Sequence, residues 1–346
     1  MSGPGARPGA GQALGEWTFE ELLGEGAFGQ VWRARAAADP TRRAAVKVPR
    51  DERGAALLAA EGAAHERLAG GPFPRLLGLS REPAYAAFEL VDGGDLRAAL
   101  HAGPLAPREA GRVARGVLVA LAHAHRAGLV HRDVKPENVL LARDGRVLLA
   151  DLGLAVPVDL AHSLLDDDEA ARGVVAGSLP YLAPEVRGGA EADARSDLYA
   201  WGVLLFEALT GALPGAAERP CARVPGLPPI WDDLYLRACG ARAERWARAE
   251  DALAALDRAL EALPAPAPAP APRPKVDVLA LLEEKAREER ALVGRTLIAY
   301  VTPEGKARAR VGGKTHTLDV GALPGLCVLR VTSPTSASVV QRFVAG

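Results

Sequence analysis

The 346-residue chain is 49% hydrophobic and 25% charged with a formal net charge of -1, the composition of soluble globular proteins and long enough for two or three domains. A charge this close to zero exerts no global pull on nucleic acid or an anionic membrane, and no apolar run approaches the roughly 18 residues of a membrane span. Cys221, Cys239 and Cys327 lie far apart without CxxC spacing, which argues against a zinc site or disulfide framework and fits a reducing cytoplasm.

Residues 1–15 read as a flexible Gly/Ala/Pro-rich leader without the apolar centre of a secretory signal. "WTFEELLGEGAFGQVWRARA" then predicts two strands joined by a glycine turn, and "AAVKVP" a third. Gly24, Gly26, Gly29 and Val31 stand as G-x-G-x-x-G-x-V; glycines let backbone N–H groups approach a phosphate chain where a Cβ would obstruct. A strand follows them, unlike the helix of a dinucleotide-binding turn. A plain hairpin remains the bland alternative. Lys47, mid-strand among apolar neighbours, is either a solvated face residue or one held by an acid. The helical stretch Glu52 to Leu68 supplies Glu61 and Glu66, and Glu61, nearer its middle, is favoured. Strands are expected near Arg75 to Leu79 and Tyr85 to Leu90. After Gly94 the pattern turns helical, with Val113, Val117, Leu121 and Ala124 on one face of a helix from Pro107 to about Ala127 and Gly128 just past its end. Strands first and helices afterwards suggest two lobes with a cleft between them.

"HRDVKPENVLL", from His131 to Leu141, sets charged groups directly before an apolar strand. Asp133 can orient or deprotonate an attacking hydroxyl, Lys135 can neutralise a phosphoryl group in transit, and Asn138 can give an oxygen to a divalent cation. Phosphoryl transfer needs little covalent chemistry and much placement of charge. A second carboxylate, Asp151, ends the strand in "VLLADLG", as Mg²⁺ held with nucleotide phosphates would require.

With these motifs in order, residues from about Trp17 to Leu263 resemble a eukaryotic-type (Hanks-type) serine/threonine protein kinase domain of the kind also found in bacteria. The resemblance implies an α+β fold, a β-rich N-terminal lobe and a helical C-terminal lobe, using ATP and Mg²⁺. It implies that Gly24, Glu25, Gly26, Ala27, Phe28, Gly29 and Val31 cover the ATP phosphates, and that Lys47 contacts the α- and β-phosphates and pairs with Glu61. "FELV", including Glu89 and Val91, would be the hinge under adenine. Asp133 would be the catalytic aspartate, with Asn138 and Asp151 holding Mg²⁺. "GSLPYLAPE" resembles the loop receiving the peptide, with Glu185 paired to Arg245 and Ser178, in place of the usual threonine, bonding Asp133 and Lys135. Asp197 in "RSDLYAWGV" would brace the catalytic loop. "KPEN" is the serine/threonine-type spelling, so the expected partner is a protein with a Ser or Thr acceptor.

Leu152 replaces the usual phenylalanine and Val134 a leucine, neither removing a reacting group. "LLDDDEAAR" supplies Asp166, Asp167, Asp168 and Glu169 either as stand-ins for a loop phosphate facing Arg132 or as a solvated acidic loop. Ser163 and Ser178 are candidate phosphorylation sites, Ser163 the favoured one because Ser178 has a structural part. A catalytically inactive pseudokinase scaffold is the competing class, and Lys47, Asp133 and Asp151 argue against it. "PAPAPAPAPRPK", residues 264–275, predicts an extended Pro/Ala linker. Residues 276–346 are read as a small helix-plus-strands module of regulatory or partner-binding kind: a charged helix over 276–293, then "KARARV" and "THTLDV" around Gly312-Gly313, a hairpin turn.

Overall fold

The computed structural model describes residues 8–26, 28–152, 178–264, 296–302, 306–311, 314–320, 325–333 and 336–342. The chain divides into two compact units, Met1–Pro264 and Ala265–Gly346.

The first unit begins with an antiparallel sheet of β1 (Ala13–Leu14), β2 (Trp17–Gly26), β3 (Gly29–Ala36), β4 (Arg43–Pro49), β5 (Leu76–Arg81) and β6 (Ala84–Glu89), in the order β1-β2-β3-β4-β6-β5. Alternation drives its packing: Trp32, Ala34 and Ala36 of β3 are buried with Trp17 and Phe19, whereas Arg33 and Arg35 occupy the other face. Of the expected leader, residues 1–7 lie outside the described residues. Gly11 N donates to Phe19 O at 2.8 Å and Phe19 N to Gln12 O at 2.9 Å, so residues 11–14 cover the sheet edge; backbone pairing, invisible in a Gly/Ala-rich composition, orders them. Helix α1 (Glu52–Arg67) starts where the Asp51 side chain accepts from Gly54 N.

The helical lobe holds α2 (Leu96–His101), α3 (Pro107–Arg126), α4 (Pro184–Arg187), α5 (Ala194–Thr210), α6 (Pro220–Arg223), α7 (Ile230–Cys239) and α8 (Ala249–Glu261). Pro107 opens α3, where its missing N–H costs nothing, and Gly128 follows with a φ of 71°. Val113, Val117, Leu121 and Ala124 all lie in the core. Helix α5 is apolar around its circumference and buried accordingly. Its Trp201 indole donates to Ala114 O of α3 at 3.0 Å, and a capping box of Asp193 and Ser196 fixes its start. Between α3 and α4 lie the 3-10 turn Pro136–Asn138 and the hairpin β7 (Val139–Leu141) and β8 (Val147–Leu149). The first unit is thus α+β and bilobal.

The second unit contains β9 (Thr296–Val301), β10 (Lys306–Val311), β11 (Lys314–Asp319), β12 (Gly325–Ser333) and β13 (Ser336–Arg342), closed into a barrel in the order β10-β11-β13-β12-β9. Ala299, Val301, Ala307, Leu318, Leu329, Val331 and Ala337 fill it. Only β10 and β11 are expected from the sequence. Strands β9 and β12 are short apolar runs whose periodicity does not distinguish strand from buried helix. Residues 265–275, the helix expected over 276–293, and Gly312 and Gly313 lie outside the described residues. Among the described residues, no helix is long and apolar enough to cross a membrane.

Candidate active site

Lys47 sits in β4 opposite Val31 of β3, and its ammonium donates to Glu61 Oε2 of α1 and to Asp151 Oδ1, both at 2.8 Å. Glu66, the other acid considered, is exposed on the far face of α1. Burial opposes the Lys47 charge, but Asp151 and Glu61 outweigh it and hold the ammonium's pKa well above its usual range. The Lys47 charge draws Asp151 down to about 2, whereas burial pushes Glu61 up despite its contact with Lys47. Asp151 therefore stays ionised, and its side chain keeps 43% of its surface open.

Asp133 is buried, with three neighbours arranged around its carboxylate. Ser178 Oγ donates to Oδ1 at 2.7 Å; Lys135 Nζ lies 2.7 Å from Oδ2 and donates to Ser178 Oγ at 3.0 Å. Asn138 Nδ2 donates to Asp133 O and Oδ2 at 2.7 and 2.9 Å. Both Asn138 partners are acceptors, which fixes the amide's orientation and frees its oxygen for another ligand. Ala150 N donates to Asn138 O at 2.8 Å, joining this loop to the residue before Asp151.

Of the three non-glycine residues with left-handed backbone among the described residues, two bend the chain here, Arg132 with φ of 68° and Asp151 with φ of 64°; the third is Ala217. Such geometry in non-glycine residues is costly and clusters at functional sites. Asp197, almost fully buried, holds the first bend: its carboxylate accepts from His131 N and Arg132 N, each at 2.9 Å. His125 Nε2 lies 2.8 Å from the same carboxylate, and His131 Nε2 lies 3.1 Å from Ala150 O. Glu185 and Arg245 form a two-point pair at 2.6 and 3.0 Å, with the Arg245 guanidinium enclosed. Leu152 is fully buried in the helical-lobe core.

The glycines differ in function. A Cβ on Gly24 or Gly26 would meet nothing within 4 Å, whereas one on Gly29 would lie 2.2 Å from Val48 O. Gly24 and Gly26 leave room for a ligand; Gly29 lets β3 and β4 approach. The Glu25 carboxylate pairs with Arg50 at 2.8 Å, and Phe28 O accepts from Arg50 N at 3.0 Å. The Glu25 carboxylate is thus turned to Arg50, leaving its backbone for any ligand at the glycine turn. Ala27, Gly177 and residues 163–169 lie outside the described residues. Glu89 ends β6 with its side chain on Arg146 at 2.9 Å, and Val91 follows in the connection to α2.

Sequence reading missed Arg97, Tyr181 and Glu207, which bond one another from α2, the segment after Ser178, and α5, and also His65, buried beside Phe88. Tyr181 lies within "GSLPYLAPE" but had no role assigned to it, and Arg97, Glu207 and His65 fall in none of the quoted motifs.

Residues 17–223, more than half of the chain, match the protein kinase domain model, and the chain belongs to that family. It is 41% identical over 186 residues to the serine/threonine-protein kinase PknL of Mycobacterium tuberculosis, covering 49% of this chain and 45% of that protein. It is 35% identical over 221 residues to the kinase PknJ of the same organism, covering 60% and 36%. A probable serine/threonine-protein kinase of Streptomyces coelicolor, SCO3848, is 42% identical over 139 residues, covering 40% and 20%. The chain matches less than half the length of each.

Proposed function

We propose that this chain is a serine/threonine protein kinase that transfers the γ-phosphate of ATP to a protein hydroxyl with Mg²⁺. The observation that carries the reading is Asp133, wrapped by Ser178, Lys135 and Asn138 and joined through Asn138 and Ala150 to the Asp151–Lys47–Glu61 network. A scaffold has no need to place every reacting group.

The donor set fits the metal. Among the described residues, no three His, Cys, Asp or Glu side chains gather into a cage. Asn138 and Asp151 supply hard oxygen donors, as Mg²⁺ prefers when substrate phosphates complete its shell. Bound there, Mg²⁺ would neutralise phosphate oxygens. Asp133 orients the acceptor hydroxyl and takes its proton, and Lys135 offsets charge on the phosphoryl oxygens. Lys47, held by Glu61, binds the phosphates on their other side, while backbone N–H groups around Gly24 and Gly26 cover them. Glu89 and Val91 offer backbone groups to adenine. "KPEN" and the named relatives support a Ser or Thr acceptor, and the barrel is read as a partner-binding module.

Asp133→Asn keeps the shape and removes the base, so radiolabelled phosphate transfer to a serine-containing protein should fall about a thousandfold. Equal labelling by wild type and variant would instead identify a contaminating kinase and favour the scaffold.

A further inference from the structure

Arg97, in the first turn of α2, lies outside every motif and makes contact with three separate parts of the helical lobe. Its Nε donates to Glu137 Oε1 at 2.8 Å, Nη1 to Glu207 Oε1 at 2.5 Å, and Nη2 to the Tyr181 hydroxyl at 2.7 Å. The Tyr181 hydroxyl in turn donates to Glu207 Oε2. Arg97 and Glu207 are 110 positions apart and Arg97 and Tyr181 are 84 apart, so the knot closes only in the folded chain.

Its partners touch the site from two directions. Glu137 immediately precedes Asn138, which bonds Asp133. Tyr181 lies three residues beyond Ser178, which also bonds Asp133, and lines a small cavity with Asp133, Val134, Ser178, Leu182, Ala183 and Val186. Arg132, Ser196 and Asp197 line it as well, so its wall is mixed polar and apolar, and it brings Tyr181 to the same hollow as Asp133 and Ser178.

On the reading of the site as a protein kinase, the geometry points to Arg97 as the positioning residue of the peptide side. One planar guanidinium holds the catalytic turn and the acceptor segment at a fixed separation. Lysine, a single point charge, cannot hold three partners in one plane. Glu207, with 6% of its side chain exposed, would be a buried carboxylate without its cation if Arg97 were truncated, and the segment anchored to it would shift. Burial and the Glu207 carboxylate push the Tyr181 phenol up, so it remains the donor. The nucleotide-side groups Lys47, Glu61 and Asp151 share no hydrogen bond with the knot. Loosening it separates peptide handling from nucleotide handling.

The test uses the full chain, Arg97→Lys, Arg97→Ala and Tyr181→Phe, and a fluorescein-labelled pool of neutral peptides with one central serine. Misplacement of a reacting group by about 1 Å costs up to a hundredfold. For Arg97→Lys we therefore expect peptide Kd by anisotropy, without nucleotide, and peptide KM each to rise about tenfold. KM for ATP and peptide-free ATP hydrolysis stay within about twofold. Tyr181→Phe shows the same split, and the double variant Arg97→Lys with Tyr181→Phe is no worse than the poorer single one, as groups acting as a unit are not additive. An unchanged peptide Kd and KM, or a parallel fall in ATP hydrolysis, would overturn the assignment. If Arg97→Ala fails to fold, Arg97→Lys carries the decision. A wild type that transfers no phosphate would sink the kinase reading, whereas the Kd comparison would still decide the role of Arg97.

Discussion

A methyl group on Gly29 would meet the Val48 carbonyl oxygen at 2.2 Å, backbone against backbone, while on Gly24 it would enter open space. The two residues lie five positions apart in one glycine motif, yet one protects sheet packing and the other faces space that, on the proposed function, a nucleotide would enter. Gly29→Ala should destabilise the protein by about 1–3 kcal/mol, because neither strand can yield without distorting the sheet. Gly24→Ala should leave stability within about 0.5 kcal/mol and weaken ATP binding instead. Thermal melts and ATP titrations of both variants check this; equal Tm losses would show that the glycines are interchangeable. That Asp133, Lys135 and Asn138 gather around one carboxylate was legible because they lie within six positions, where spacing alone brings side chains together.

Helix α1 has two buried titratable groups one turn apart, Glu61 and His65. His65 packs against Phe88 with ring centroids 4.8 Å apart. Burial, helped by the Lys47 charge and opposed by Asp151, draws its pKa down to about 4 from an ordinary 6.5. The native state therefore prefers neutral His65 while the unfolded chain takes up a proton near pH 6.5. Its contribution is full above that pH and is lost as pH falls toward 4, by a few kcal/mol at most. His65→Leu should remove this slope: between pH 7 and 5 the wild-type Tm should fall more steeply than the variant's, and parallel lines would reject the account. Lys47, Asp151 and His131 surround the imidazole electrostatically in both proteins, so the difference isolates His65. Nothing in the helix's pattern distinguishes His65, or Arg97 and Glu207, from ordinary polar residues. Their partners come from remote elements, and periodicity within one helix reports only which side faces a core.

The first unit carries its own terminus. Leu263 packs into the helical core, and Arg108 Nη2 donates to Leu263 O and Pro264 O at 3.0 and 2.7 Å. A chain ending at Pro264 should fold, with a Tm within a few degrees of the kinase-unit transition, and keep ATP binding; insoluble expression would mean that residues beyond 264 complete its core. The kinase unit was readable because its motifs have one well-separated order. The barrel was not, because closure is a relation among five short strands, and edges that pair with one another leave no local mark. Residues 132 and 151 turn the chain through left-handed corners at both ends of one stretch, pinning it like a ruler held at two marks. Its length is thereby fixed. A residue added within β7 or β8 would send the side chains that follow it in the strand to the opposite face and swing Asp151 away from Lys47, whereas one added at Gly145, where a Cβ would meet nothing within 4 Å, would cost at most the Arg112 hydrogen bond to Gly145 O and leave both marks in place.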